Sequence, residues 1–190
     1  MVLPIYIYGH PVLRKVAEEI DENYEGLNEL IQNMKETMYA TDGIGIAAPQ
    51  VGKSIRVIYI DVDVLADKFP ELKGKNMVLI NPILTVDEYS PIISREEGCL
   101  SVPDIHENVA RHSRIHLNWL DENWQEHDED IEGYLARVVQ HEYDHLEGKL
   151  FIDHISPIRK QLNRRKLNNI ASGKMRFDYR TVGYKPTKKS

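Results

Sequence analysis

The chain has 190 residues, 42% of them hydrophobic and 28% charged, with a formal net charge of −6. That length suits one sizeable domain rather than two, and that composition excludes wholesale disorder. No apolar run approaches the ~20 residues of a membrane-spanning helix, and MVLPIYIYGHPVLRK lacks the basic start, long apolar centre and cleavage site of a secretory signal, so a soluble cytoplasmic protein is expected.

In chain order, Leu27, Leu30, Ile31, Met34 and Met38 recur at helical spacing, which predicts an amphipathic helix from Glu25 to about Thr41. TDGIGIAAPQVG follows, rich in Gly, Ala and Pro, and should be a loop or an irregular extended segment. IRVIYID (55–61), MVLINPIL (77–84) and RIHLNWLD (114–121) read as strands from their β-branched and aromatic residues. DVLADKFPELKGKN and VDEYSPIIS, between them, read as loops. The acidic DENWQEHDED (121–130) fits a hairpin tip before a helix from about Glu132 to Glu147, with Leu135, Val138, Val139 and Leu146 as apolar positions and Gly148 as its stop. A last helix should begin after Ser156-Pro157, with Ser as cap and Pro at its first position. Strands grouped together with helices at the ends indicate an α+β fold.

The charge is unevenly spread. Residues 1–158 hold 13 Lys and Arg against 29 Asp and Glu, whereas residues 159–190 hold 11 against Asp178 alone. A basic end on an acidic body is a cue for a polyanionic partner, or else a solvated helix end and tail.

Residues 141–145 read HEYDH. On a helix, His141 and His145 share a face and can grip one ion, while Glu142 sits beside it as a general base for water. Tyr134, Val138, His141 and His145 follow one stripe, so the histidines lie on a half-apolar face. A third ligand is needed. The extended protease form HExxHxxGxxH fails, because Phe151 occupies the last position. A downstream glutamate fails too, because none follows Glu147. His10, His106, His112, His116, His127, His154 and Cys99 remain. The single cysteine cannot form an internal disulfide, so it is an apolar filler, a nucleophile or a ligand. A thiolate is the strongest donor available, and Gly98 beside it lets backbone approach closely. Cys99 is therefore the preferred third ligand, leaving a fourth position open as catalytic sites do.

GIGIAAPQ (43–50), EGCLS (97–101) and HEYDH, in that order, resemble the three signature motifs of the peptide deformylases, and GHPVLRKVAEEI (9–20) resembles that family's N-terminal segment. The resemblance spans roughly residues 4–165. It implies antiparallel or mixed sheets wrapped around a central HExxH helix, with a C-terminal helix. The implied domains are a catalytic unit over 1–172 and a basic tail over 173–190. The implied reaction takes the formyl group from N-formyl-methionyl nascent peptides and releases formate, in a bacterial cytoplasm. One divalent ion is implied, Fe2+ in the cell with Zn2+ or Ni2+ as substitutes, on Cys99, His141 and His145. Glu142 would be the acid/base, with the Gln50 side-chain amide and the Leu100 backbone N–H as oxyanion donors. Ile44 and Gly45 would bond the peptide backbone, and Gly98 lies on the cysteine segment beside the substrate. Ile44, Leu100, Tyr134, Val138 and the edge of His141 would hold the methionine side chain. Glu97 and Arg111 match a pair that braces the cysteine segment, and Arg137 is placed near the pocket rim. Arg159, Lys160, Arg164, Arg165 and Lys166 could contact the ribosome near the peptide exit. Two other readings compete: a metallo-amidase of different specificity, and a non-catalytic ribosome- or RNA-binding protein using the basic end.

Overall fold

The computed structural model describes residues 1–184. Lys185–Ser190, the end of the expected tail, lie outside the described residues. Its strands are β1 (Ile5–Tyr6), β2 (Gly45–Ala47), β3 (Val57–Asp61), β4 (Asn76–Val86), β5 (Ile92–Cys99), β6 (Val102–His112), β7 (Arg114–Leu120), β8 (Glu126–Glu132) and β9 (Thr181–Val182). Its helices are α1 (Leu27–Ala40), α2 (Gly133–Leu146) and α3 (Pro157–Ala171). A five-stranded antiparallel sheet runs β2-β3-β4-β7-β8, β5 pairs with β6 as a separate ribbon, and β1 pairs in parallel with β9. The α+β architecture expected from the sequence is what forms.

The centre is set by β3. Its residues point alternately to opposite faces. Val57 and Tyr59 join α1 residues Leu30, Ile31, Met34 and Met38 in one apolar cluster, while Ile58 and Ile60 join α2 residues Leu135, Ala136, Val139 and Leu146 in another. A strand covered on both faces explains the unbroken apolar run VIYI. Because α2 is enclosed by sheet on one side and the β5–β6 ribbon on the other, its buried residues include Arg137, Gln140, Glu142 and His145 as well as apolar ones. Polar groups are thus carried into the interior by the same helix that builds the core.

All three helices start within two residues of where their signals place them, and α1 and α2 stop as closely. Ser156 accepts a hydrogen bond from the Arg159 N–H at the start of α3, with Pro157 behind it. Gly148 has φ +67°, and an added Cβ would lie 2.7 Å from the Arg14 carbonyl, so only glycine ends α2 here.

Two readings change. VDEYSPIIS and the residues after it are not all loop, because Ile92–Cys99 is a strand paired along Val102–His112. Likewise, the acidic stretch is only partly a hairpin tip, since Glu126–Glu132 forms the outer strand β8. An edge strand carrying five acidic residues in seven is protected against pairing with another chain. The expected division at 172/173 falls just after α3, which ends at Ala171, and the chain does not trail away there. Met175, Phe177 and Tyr179 pack on the core, and β9 returns to β1.

Candidate metal centre and active site

Three elements converge on one cleft. From α2 come His141, Glu142 and His145; from the end of β5 comes Cys99; from the turn after β2 comes Gln50. The ligand atoms of Cys99, His141 and His145 all lie within 4.8 Å of one another. The Cys99 sulfur is 3.3 Å from His145 Nε2. One thiolate and two imidazoles within that span fit a divalent ion held by three protein ligands, with a fourth position free. Among the described residues no other such group of three occurs.

The electrostatics agree. Burial pushes the Cys99 thiol up, but His145 and His141 outweigh it and bring the thiol down to about 5. The sulfur is therefore a thiolate at neutral pH, the form that binds metal. Burial raises Glu142, against the pull of His141 and His145, to about 7. Its Oε2 is buried without a partner in the protein. A carboxyl poised near neutrality and carrying an unused oxygen is what a general base requires.

Glu97 organises the site from behind. It takes two hydrogen bonds from Arg111, at 2.7 and 2.9 Å, and one from Arg137 at 2.6 Å. His141 Nδ1 lies 2.9 Å from its second oxygen. With Nδ1–H donating to Glu97, the tautomer of His141 is fixed and its Nε2 is left free to bind an ion. Burial alone would raise Glu97, but His141 and Arg111 hold it well below the usual carboxylate range. Arg111 also reaches Asp144 at 2.9 Å, and His154 Nε2 bonds the same oxygen at 2.8 Å. Arg137 adds bonds to the carbonyls of Val109, at 3.0 Å, and Ile93. Two guanidiniums thus face two carboxylates in a charge-balanced interior cluster. Arg137 does line the cleft, but it is only 6% exposed, with its guanidinium turned inward to Glu97. Its helical face was legible, because Arg137 precedes His141 by four and so lies on the same side of α2. The signal for Asp144 is similar, three residues after His141.

GIGIAAPQ is shaped by the same cleft. The Ala47 N–H donates to Gln50 Oε1 at 2.8 Å, which turns the Gln50 amide nitrogen toward the Cys99 sulfur, 3.5 Å away. An added Cβ at Gly45 would come within 2.5 Å of Glu142 Oε1, so a side chain there would displace the carboxyl. At Gly98 an added Cβ would meet the His106 ring at 2.7 Å. The Asp61 N–H bonds the Ile44 carbonyl at 3.0 Å. Ile44 thus spends that carbonyl inside the sheet, and by antiparallel alternation Gly45 turns its own N–H and C=O to the open edge of β2.

The cleft encloses about 690 Å³ and is lined by Ile44, Gly45, Gln50, Glu97, Gly98, Cys99, Leu100, Tyr134, Val138, His141 and Glu142 among others. Tyr134 stacks on Phe69 with ring centres 4.9 Å apart, which walls one side. Of the residues expected here, only Arg111 and His145 are absent from the lining, Arg111 behind Glu97 and His145 behind the sulfur. Sequence reasoning missed Arg176, Phe177, Asp178 and Tyr179, which line the cleft from the C-terminal side.

Residues 2–161 match the family model described as polypeptide deformylase. The peptide deformylase of Salinibacter ruber is 45% identical over 186 residues, covering 96% of this chain and 95% of that protein. That of Flavobacterium psychrophilum is 47% identical over 187 residues, covering 95% and 96%. Among solved structures, the peptide deformylase of Legionella pneumophila superposes with a TM-score of 0.79 at 35% identity, covering 93% of this chain and 99% of that one. The peptide deformylase of Thermus thermophilus gives 0.77 at 36% identity, covering 90% and 98%.

Proposed function

The chain belongs to the peptide deformylase family, which removes the formyl group from N-terminal methionine, and we propose how its residues divide that work. The observation that carries the reading is Glu142: a buried carboxyl, raised to about 7, with one unpartnered oxygen beside the Cys99–His141–His145 trio.

Cys99, His141 and His145 would hold a divalent ion, which when bound would lower the pKa of water and polarise a carbonyl. Glu142 accepts the proton of the attacking water and returns it to the departing amine. The Gln50 amide and the Leu100 N–H donate to the oxygen of the formyl group as charge develops on it. The formylated peptide lies along the open edge of β2 and bonds Gly45, adding a strand to the sheet. Ile44, Leu100, Tyr134 and Val138 enclose the methionine side chain. The ion is Fe2+ in the cell, with Zn2+ or Ni2+ as substitutes; a mixed thiolate–imidazole set accommodates all three. Bacterial relatives support a bacterial cytoplasmic setting; among the described residues no helix is long and apolar enough to cross a membrane.

Purification without oxygen, metal analysis and a formate assay test this reading together. One ion per chain is expected, predominantly iron, with formate released from formyl-Met peptides and no cleavage of acetyl-Met peptides. Equal turnover of the acetylated peptide would assign the site to another amidase class.

The basic end supports a weaker association with the ribosome. Lys160, Arg164, Arg165 and Lys166 are exposed along α3, whereas Arg159 is committed to Glu107 through two bonds of 2.8 Å. Phosphate contacts of this kind weaken steeply with salt. Arg164→Glu with Arg165→Glu should abolish low-salt co-sedimentation with ribosomes while leaving formate release within twofold. Unchanged co-sedimentation would remove α3 from the interaction.

A further inference from the structure

The Leu100 N–H sits at the tip of a hairpin that its own ladder holds poorly. Cys99 pairs with Val102, leaving Leu100 and Ser101 as a two-residue turn, and the register slips between Glu97 and Cys99. The outward carbonyls of this tip are secured from elsewhere. The Tyr179 hydroxyl donates to the Leu100 carbonyl at 2.7 Å, and the Tyr8 N–H donates to the Ser101 carbonyl at 2.7 Å. These two partners come from opposite ends of the chain, which are themselves tied. The Ile5 N–H bonds the Arg180 carbonyl at 2.8 Å, and the Ile7 N–H bonds the Val182 carbonyl at 3.1 Å.

The segment that delivers Tyr179 has a sequence reason to lie there. In KMRFDYR, Met175, Phe177 and Tyr179 alternate with Lys174, Arg176, Asp178 and Arg180, and only the first set is partly buried. That is the period of an extended chain with one apolar face. Gly173, at φ +68°, reverses the chain after α3 so that this face turns inward. The Phe177 and Tyr179 rings stack 6.1 Å apart against the core. The ring supplies packing, and the hydroxyl supplies the bond.

We propose that Tyr179 is a positioning residue for deformylation: its hydroxyl, bonded to the Leu100 carbonyl, fixes the Cys99–Val102 tip so that the Leu100 N–H stays aimed at the reacting oxygen. The proposal rests on the deformylase reading for its kinetic consequence, and on geometry alone for its mechanical one. An oxyanion donor works only when preorganised, and a tip free to rock loses part of that advantage without losing substrate affinity.

Tyr179→Phe keeps the ring and removes the bond. The expected result is a fall of about tenfold in kcat for a formyl-Met peptide, about 1.4 kcal/mol, with KM within twofold. Metal content and thermal midpoint should stay at wild-type values, and amide hydrogen exchange should quicken in residues 97–105 alone. A kcat within twofold of wild type overturns the proposal. So does a loss of activity that comes with a lowered midpoint and faster exchange throughout, which marks a merely structural role. If the wild-type protein released no formate, the deformylase reading would fail by itself, and exchange at residues 97–105 would still decide whether the hydroxyl holds the tip.

Discussion

Glu142→Ala should lower kcat for formate release by about 10²- to 10⁴-fold, the usual range for a lost general acid/base, while metal content stays at the wild-type level. The two outcomes separate because Glu142 lies on the ligand helix without belonging to the ligand trio. Its value to the reaction and its cost to the fold have one origin. Burial raises the carboxyl to about 7, and Oε2 has no partner in the protein. An unpaired buried polar group costs roughly 1–3 kcal/mol, so the alanine variant should unfold at a higher temperature than the wild type. Activity and stability then move in opposite directions, as expected where a site is kept strained for function. Parallel loss of metal, or a lower unfolding temperature, would assign Glu142 a structural role.

Much of this site was legible because helices advertise themselves. HEYDH sits in a stretch whose apolar residues recur at helical period, and Gly148 marks its end. Cys99 emerged from chemistry, since no other upstream donor rivals a thiolate. What stayed hidden lacks an apolar signal. Along β5 only Glu97 is buried, so Ile92–Cys99 has no alternating apolar pattern to read; it is a strand because β6 pairs with it. In β8 only Ile131 is buried, and charge masks the strand. The segment after α3 shows the same masking. Three inward residues carry its period of two, but the Lys and Arg between them made it look like a solvated tail. Arg137 illustrates a different limit. Spacing gives the face of a lone arginine on a helix, but not its burial, until Glu97, from a separate ribbon, is placed against it.

That contact makes Glu97 the most consequential residue outside the reaction itself. Glu97→Ala leaves Arg111 with only Asp144 and leaves Arg137 with only the carbonyls of Val109 and Ile93. The interior cluster changes from balanced to an excess of one positive charge. Breaking a buried ion pair from one side costs about 3–5 kcal/mol, so for a chain of this length the thermal midpoint should fall by roughly 6–20 °C. His141 loses its Nδ1 partner as well, its tautomer is no longer fixed, and metal affinity should weaken about 10- to 100-fold. Glu97→Gln separates the two effects. It keeps an oxygen for one guanidinium but loses the charge that balances the pair, so its midpoint should fall between those of Glu97→Ala and the wild type. Its affinity for metal should still drop, because an amide holds the imidazole less firmly than a carboxylate does. Thermal melts of metal-free protein and competition against a chelator give the two readouts independently. A midpoint within 2 °C of wild type for the alanine variant would mean that Asp144 and the carbonyls already satisfy both arginines, and Glu97 would then matter only through His141.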